Sequence, residues 1–244
     1  MNEDLKFQIH YQPKIDLKSN EMYGVEALAR FKNCRDEILN TEEVLKNFKS
    51  EQDNFSFSAL VIKNVFKDFK NNKIFKKGFN ISVNISSIEI ESFKFKDWIK
   101  TNILYDPDII NNFEFEFELT EKFKIENEDI FSNRIKYLRK NGIKLSLDDL
   151  GKGFNCLELL YKYKFDSVKL DKSFISFASK NLSVSKDLIN EIKKLKLKVL
   201  IEGIETQDEL DIIKSLKCDF AQGFFFGKPC CLKDLLLEYE NIKL

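Results

Sequence analysis

Glu26, Asn84, Glu118, Asp148 with Asp149, Lys169, Glu202 and Gln222 close seven apolar runs spread over almost the whole chain. One strand after another would thus deliver a functional side chain to one place. Five carboxylates converging there, Glu26, Glu118, Asp148, Asp149 and Glu202, would repel one another strongly unless something cationic sat among them. Oxygen donors, with Asn84 as a neutral member and no His or Cys at any strand end, favour hard divalent ions such as Mg²⁺ or Mn²⁺ over zinc. The adjacent Asp148 and Asp149 can bridge or flank two ions, the arrangement that clamps the attacking and leaving oxygens in phosphoester hydrolysis. Lys169 supplies a positive charge beside them. Its plainer reading is a barrel lysine that neutralises an inner glutamate such as Glu116.

The elements that must position these residues alternate between strand and helix patterns. Phe7 to Asp16 alternates as a strand, and Lys18-Ser19-Asn20 forms a turn before a second run from Met22 to Phe31, so the first strand runs antiparallel to its successor. Helical spacing follows over Glu42 to Lys49, behind Thr41 as a candidate N-cap, and over Phe55 to Lys70. Strand patterns then appear at Phe79 to Ile85, Phe113 to Leu119, Ile143 to Leu147, Ser167 to Leu170, Lys198 to Ile201 and Asp219 to Phe224. Between them lie a helix marked by Phe131, Ile135 and Leu138 and ended by Asn141-Gly142, and helices near 155 to 163, 183 to 196 and 207 to 217. Thr206 and Glu209 form a capping box for the last. Eight strand patterns with alternating helices predict an α/β fold, a (β/α)8 TIM-like barrel with an antiparallel first strand. An open doubly wound sheet would need a glycine-rich phosphate turn after its first strand, whereas Gly151 and Gly153 follow the fifth.

Side-chain parity extends the reading downward. If the strand-end residues face the lumen, then Gly24, Ser82, Glu116, Ser146, Ser167, Leu200 and Phe220 form the layer beneath. A barrel core is usually filled with branched apolar residues, so this lumen is wet and spacious near its top. Glu114 and Glu116 read equally well as the solvated face of an edge strand.

At 244 residues the chain is expected to form a single domain, residues 1–244, with a large core and no need of disulfides. Forty basic residues balance forty acidic ones without a long block of one sign, which gives no support to a nucleic-acid polymer or a membrane surface as partner. Cys34, Cys156, Cys218, Cys230 and Cys231 are odd in number and lack C-x-x-C spacing, which fits reduced thiols in a cytoplasm, with all five as structural filler. No uncharged run approaches the roughly 18 to 20 residues that span a bilayer, so this stretch of chain is expected to be soluble. His10 is expected to be hydrogen-bonded and partly buried, Trp98 to belong to the core, and Lys193, Lys194, Lys196 and Lys198 to be a solvated helix end.

Tyr11-Gln12-Pro13, Glu26-Ala27-Leu28 with Arg30, Asn84 and Ser86, Glu118-Leu119-Thr120-Glu121, Asp148-Asp149, Lys169 with Asp171, Glu202-Gly203 with Glu205, and Gln222-Gly223 resemble the EAL-domain cyclic di-GMP phosphodiesterases in order and spacing. The resemblance runs from about Phe7 to about Pro229. It implies a metal-dependent hydrolysis of one phosphodiester of cyclic di-GMP to linear pGpG, with two ions, Mg²⁺ or Mn²⁺, activating water. It places Glu26, Asn84, Glu118 and Asp148 on the first ion, and Asp148 and Asp149 on the second. Lys169 would lie close to the bridging water, and Glu202 would be the general base or water-orienting carboxylate. Arg30 would reach a substrate phosphate, Gln12, Glu205 and Gln222 would line the nucleotide cleft, and Glu121 would anchor the loop after the aspartates. A homodimer is implied too, as is the family's frequent coupling to sensory or cyclase domains outside such a chain.

The loop after Asp148-Asp149 departs from the family pattern, which reads Asp-Phe-Gly-Thr-Gly-Tyr-Ser-Ser-Leu from the second aspartate. Here it is Asp149-Leu150-Gly151-Lys152-Gly153-Phe154-Asn155-Cys156-Leu157. Lys152 replaces a threonine, and Asn155 and Cys156 replace two serines, in the segment that the family uses for the second metal and for dimer contacts. Ile201 adds bulk before Glu202 where the family has Ala. Three functional classes remain: a working cyclic di-GMP phosphodiesterase; a non-catalytic receptor for cyclic di-GMP, or a protein-interaction module, signalling through its altered loop; and a barrel enzyme acting on another phosphodiester.

Overall fold

The computed structural model describes residues 6–35, 37–45, 50–70, 75 and 77–239. Among the described residues nine strands are formed: β1 (Lys6–Asp16), β2 (Glu21–Lys32), β3 (Ile38–Leu39), β4 (Phe79–Ile85), β5 (Phe113–Leu119), β6 (Lys144–Leu147), β7 (Ser167–Leu170), β8 (Lys198–Ile201) and β9 (Phe220–Gln222). Eight of them close into a barrel in the order β1-β2-β4-β5-β6-β7-β8-β9, with β9 pairing back to β1. The two-residue β3 lies outside the ring, antiparallel to β2. All neighbouring pairs from β2 to β9 are parallel, while β1 runs against both β2 and β9. This is the fold the sequence predicts, inverted first strand included.

Alternation along the strands decides what fills each side. In β5, Phe113, Phe115, Phe117 and Leu119 point outward, where Phe115, Phe117 and Leu119 are buried beneath the helices, while Glu114, Glu116 and Glu118 point into the barrel. β4 does the same with Phe79, Ile81, Val83 and Ile85 outside and Asn80, Ser82 and Asn84 inside. Because β4 and β5 pair in register, Ser82 stands opposite Glu116 and Asn84 opposite Glu118. Polar side chains are thereby stacked in layers toward the carboxyl ends of the strands, where a barrel presents its site. Gly24 of β2 is required by this closeness: a Cβ there would run into the Asn80 backbone and side chain of β4.

The longest helix, Glu51–Lys70, buries Phe55, Val61, Ile62, Val65, Phe66 and Phe69 against β1, β2 and β4. The helix ending before Asn141-Gly142 is Glu128–Lys140, with Phe131, Ile135 and Leu138 buried and the Asn127 side chain accepting from Ile130 N. Thr206 and Glu209 do form a reciprocal capping box on the helix Gln207–Ser215.

Several expectations need correction. Thr41 does not cap: it lies within the first turn of the helix Thr41–Leu45, and its hydroxyl donates to the Ala29 carbonyl at 3.0 Å. The rest of that expected helix, 46–49, falls outside the described residues. Glu116 is not solvated, since β5 is an interior strand and Glu116 is 6% exposed. The filler role fits Cys218, which is buried, but Cys34, Cys156 and Cys231 are exposed and Cys230 is half-buried. All five thiols are unpaired with one another. His10 meets its expectation, with Nδ1 placed 3.2 Å from the Pro229 carbonyl and Nε2 2.7 Å from the Gln8 amide. The sequence pattern does not predict the helices at Ser87–Glu91, Phe95–Asn102, Pro107–Asn112 (in place of a polar loop), Lys172–Ala178 and Leu232–Tyr239, although the first carries a readable signal: Ser86 and Glu89 are three apart and form a capping box.

Candidate active site

β1 and β2 deliver Gln12 and Glu26 as register partners, and β9 brings Gln222 beside them. Gln222 Nε2 donates to Glu26 Oε2 at 2.8 Å and to Gln12 Oε1 at 3.0 Å, so one amide ties three strands together. Asn84 Nδ2 donates to the other Glu26 oxygen at 3.1 Å. Gly223, next in the chain, lets the backbone after Gln222 pass close to Ile204, whose backbone a Cβ there would strike.

Lys169 of β7 is the hub. Its buried ammonium lies 2.5 Å from Glu118 Oε2, 2.6 Å from Glu202 Oε1, 3.1 Å from Asp148 Oδ1 and 3.4 Å from Glu26 Oε2. The plainer reading, a lysine neutralising Glu116, is therefore replaced. Glu116 instead contacts Lys14, whose Nζ is 3.5 Å from Glu116 Oε2, 3.6 Å from Glu118 Oε1 and 2.8 Å from Ser82 Oγ. Lys14 is 1% exposed and escaped the sequence reading. The signal was present, because on the alternating β1 it shares the face of Gln12, two residues earlier.

Charge at this centre is set by burial and by these two lysines. Burial opposes ionisation of Glu118, yet the ammonium groups of Lys169 and Lys14 outweigh it and hold the carboxyl at about 2. Asp148 is pushed well above the ordinary carboxylate range by burial and by Glu202, Glu118 and Glu26, with Lys169 only partly opposing. Burial likewise pushes Glu202 up to about 7 against the pull of Lys169. Burial works against the charge of Lys169, but the surrounding carboxylates more than restore it.

Asp149 follows in a left-handed conformation, φ 46°, which turns the loop back over the mouth. Carboxylate oxygens of Asp148, Asp149 and Glu202 come within 4.8 Å of one another, close enough to share a metal ion. The loop is held by Asn155, 2% exposed, whose Nδ2 donates to the Leu119 carbonyl at 3.0 Å and the Asp148 carbonyl at 2.5 Å. Glu121 meets this loop through its backbone: its carbonyl accepts from Phe154 N at 3.1 Å, and Gly153 packs so closely that a Cβ would strike that same oxygen. Lys152 projects over the mouth, 2.5 Å from Asp171 Oδ2 and 3.5 Å from Asp149 Oδ1.

These groups border an open cavity of about 370 Å³, whose wall includes Gln12, Glu26, Asp148, Asp149, Lys152, Lys169, Glu202, Glu205, Gln222 and the exposed Phe224. Glu205 stands at the rim, paired with Lys172 at 2.7 Å. Arg30 is not part of the wall; its guanidinium is half-buried and donates to the Ala29 carbonyl at 2.9 Å.

The EAL domain family model matches residues 2–229, and the chain belongs to that family. It is 25% identical over 244 residues to the cyclic di-GMP phosphodiesterase NbdA of Pseudomonas aeruginosa, covering 97% of this chain and 31% of NbdA. It is 28% identical over 233 residues to the probable cyclic di-GMP phosphodiesterase PdeB of Escherichia coli, covering 96% of this chain and 44% of PdeB. The chain thus spans less than half the length of these relatives. A solved EAL domain protein from Listeria monocytogenes EGD-e superposes with a TM-score of 0.78 at 25% identity, covering 96% of this chain and 93% of that one. Among the described residues, no helix is long and apolar enough to cross a membrane.

Proposed function

We propose that this chain is a metal-dependent phosphodiesterase that hydrolyses cyclic di-GMP to linear pGpG. The observation that carries the reading is the union of Glu26, Asn84, Glu118, Asp148, Asp149 and Glu202 around Lys169 at the mouth of an EAL barrel. The donor set fits divalent ions: it consists of oxygen ligands, and three carboxylates already meet within 4.8 Å. Glu26, Asn84, Glu118 and Asp148 would hold one ion, and Asp148 with Asp149 a second, Mg²⁺ or Mn²⁺ being the hard cations suited to them. When bound, such ions lower the pKa of water and neutralise charge building on the phosphate.

The remaining work belongs to the side chains. Lys169 fixes four carboxylates in one orientation. Glu202, poised at about 7, can accept a proton at its carboxylate as water attacks phosphorus and the bond to the bridging ribose oxygen breaks. Gln12 and Gln222 line the cleft for the nucleotide, with Glu205 at its rim. Gln222 Oε1 has no partner among the described residues and is buried, which leaves an acceptor for a ligand N–H or O–H. Arg30 would reach a phosphate from outside the wall by exchanging its bond to Ala29. The exposed Phe154, Leu157 and Tyr161, on the loop and the helix that follows it, supply an apolar stripe for a homodimer. We also place the chain, as one barrel domain over residues 1–244, in the cytoplasm, which suits five cysteines that form no disulfide.

The receptor reading draws on one observation, the Lys152 ammonium beside Asp149. Incubation of the purified chain with cyclic di-GMP and Mg²⁺ or Mn²⁺, with products separated by chromatography, tests both. Formation of pGpG is expected; tight nucleotide binding without product would transfer the protein to the receptor class.

A further inference from the structure

Lys152 occupies a place that bears directly on the metals. Its side chain is partly exposed at the cavity wall, yet its backbone is held on both sides: Lys152 N donates to the Asp149 carbonyl at 3.0 Å, and Asn155 N donates to the Lys152 carbonyl at 2.9 Å. The glycines on either side take left-handed φ values of 94° and 49°, which bend the loop so that this one side chain returns over Asp149. The ammonium lands 3.5 Å from each Asp149 oxygen and 2.5 Å from Asp171 Oδ2. Asp171 is itself fixed by Ser173 Oγ at 2.5 Å, so the lysine is held between two oriented carboxylates.

We infer that Lys152 is a tethered cation that competes with a divalent ion for Asp149 and so makes the second metal position the weaker of the two. The inference rests on the metal-dependent reading above and deepens it. A divalent ion drawing on Asp149 would meet a like charge 3.5 Å from each of its oxygens, an ammonium held in place by its shorter contact to Asp171. Like charges at this spacing and partial burial shift a binding constant by at least tenfold. Glu26, Asn84, Glu118 and Asp148, which would hold the first ion, lie on the Lys169 side of the site, so that ion would be spared most of this penalty. Asp171, already the nearer partner at 2.5 Å, is the group that keeps the ammonium over Asp149. The consequence is a protein that fills one position at low divalent concentration and the second only at higher concentration.

The test is a calorimetric titration of metal-stripped protein with Mn²⁺, repeated by electron paramagnetic resonance, which reports paired ions by their mutual broadening. Wild type should show two unequal sites. Lys152→Thr should tighten the weaker site at least tenfold and move the stronger one by less than about threefold, whereas Lys152→Arg, which keeps the charge, should follow wild type. Circular dichroism of each variant checks that the barrel is intact. A weaker-site constant unchanged in Lys152→Thr, with two ions bound, would overturn the role of Lys152 and leave the phosphodiesterase reading standing. Failure of every variant to bind Mn²⁺ would overturn both.

Discussion

Replacement of Lys14 by methionine removes a charge from the floor of the site while keeping most of its volume. Lys14 is 1% exposed and its ammonium contacts Glu116, Glu118 and Ser82. Holding the Glu118 carboxyl at about 2 instead of 4.5 is worth about 3 kcal/mol at neutral pH, shared between Lys169 and Lys14. Breaking a buried ion pair from one side costs about 3–5 kcal/mol. The lower end applies here, because Glu118 keeps Lys169, and Glu116 keeps Ser167 Oγ at 2.5 Å and Asn80 Nδ2 at 3.0 Å. A loss of about 3 kcal/mol lowers the melting temperature of a chain this size by roughly 6–12 °C.

Scanning calorimetry at pH 7.5 in EDTA measures this directly, and the pH dependence supplies a second check. Glu118 has a depressed pKa, so its stabilisation is complete above the unfolded value of 4.5 and is lost as pH falls toward 2. The gap between Lys14→Met and wild type should accordingly narrow on acidification. Adding Glu116→Gln to Lys14→Met should restore part of the loss, because the buried charge left behind is removed. A melting temperature within about 2 °C of wild type at pH 7.5, or a gap that widens on acidification, would refute the electrostatic account.

Three further perturbations separate roles within the mouth. Glu202→Gln should bind cyclic di-GMP with little change while turnover falls about 10²–10⁴-fold; single-turnover kinetics beside equilibrium titration would show it, and undiminished turnover would remove the proton-accepting role. Asp148→Ala should abolish hydrolysis and weaken Mn²⁺ binding together, and retention of both in a metal titration would exclude Asp148 as a ligand. Asn155→Ala should cost about 1–3 kcal/mol, because the Leu119 and Asp148 carbonyls lose their side-chain donor, and Asn155→Ser should recover part of it; denaturant melts decide.

The strand ends were legible because burial and chemistry write opposite residue types at adjacent positions: Phe117 and Leu119 pack under helices while Glu118 between them must face the lumen. Parity alone then placed Ser82, Ser146 and Ser167 in the layer beneath. Lys14 was harder, since a single lysine on an amphipathic strand is ordinarily a solvated residue, and only closure of β1 between β2 and β9 buries it. Glu116 was ambiguous for the same reason, its strand being interior rather than an edge. The destination of Lys152 was unreadable, as it depends on left-handed turns at Asp149, Gly151 and Gly153 that sequence spacing does not encode. Arg30 shows the limit of strand parity: it shares the face of Glu26 on β2, yet it lies far enough along the strand to bond Ala29 outside the wall.

How the barrel tolerates its carboxylates before divalent ions arrive follows from Lys169. One buried ammonium touches four of them, and burial raises the pKa of Asp148 and holds Glu202 up to about 7, so that Glu202 sheds part of its negative charge near neutrality. The fold is therefore electrostatically closed by the chain itself, and divalent ions should stabilise it only by mass action, about 2.7 kcal/mol at a hundredfold excess over Kd. Any proton that burial keeps on Asp148 must leave when its oxygens turn to an ion, and the charge of that ion lowers the pKa of Glu202 beside it. Mn²⁺ binding should then release protons and tighten as pH rises through 7, the value to which Glu202 is pushed, levelling off above it. Titration calorimetry in two buffers of different ionisation enthalpy measures the protons released. An affinity independent of pH between 6 and 8, with no buffer dependence, would mean that the carboxylates are already ionised and that the pull of Lys169 outweighs their burial.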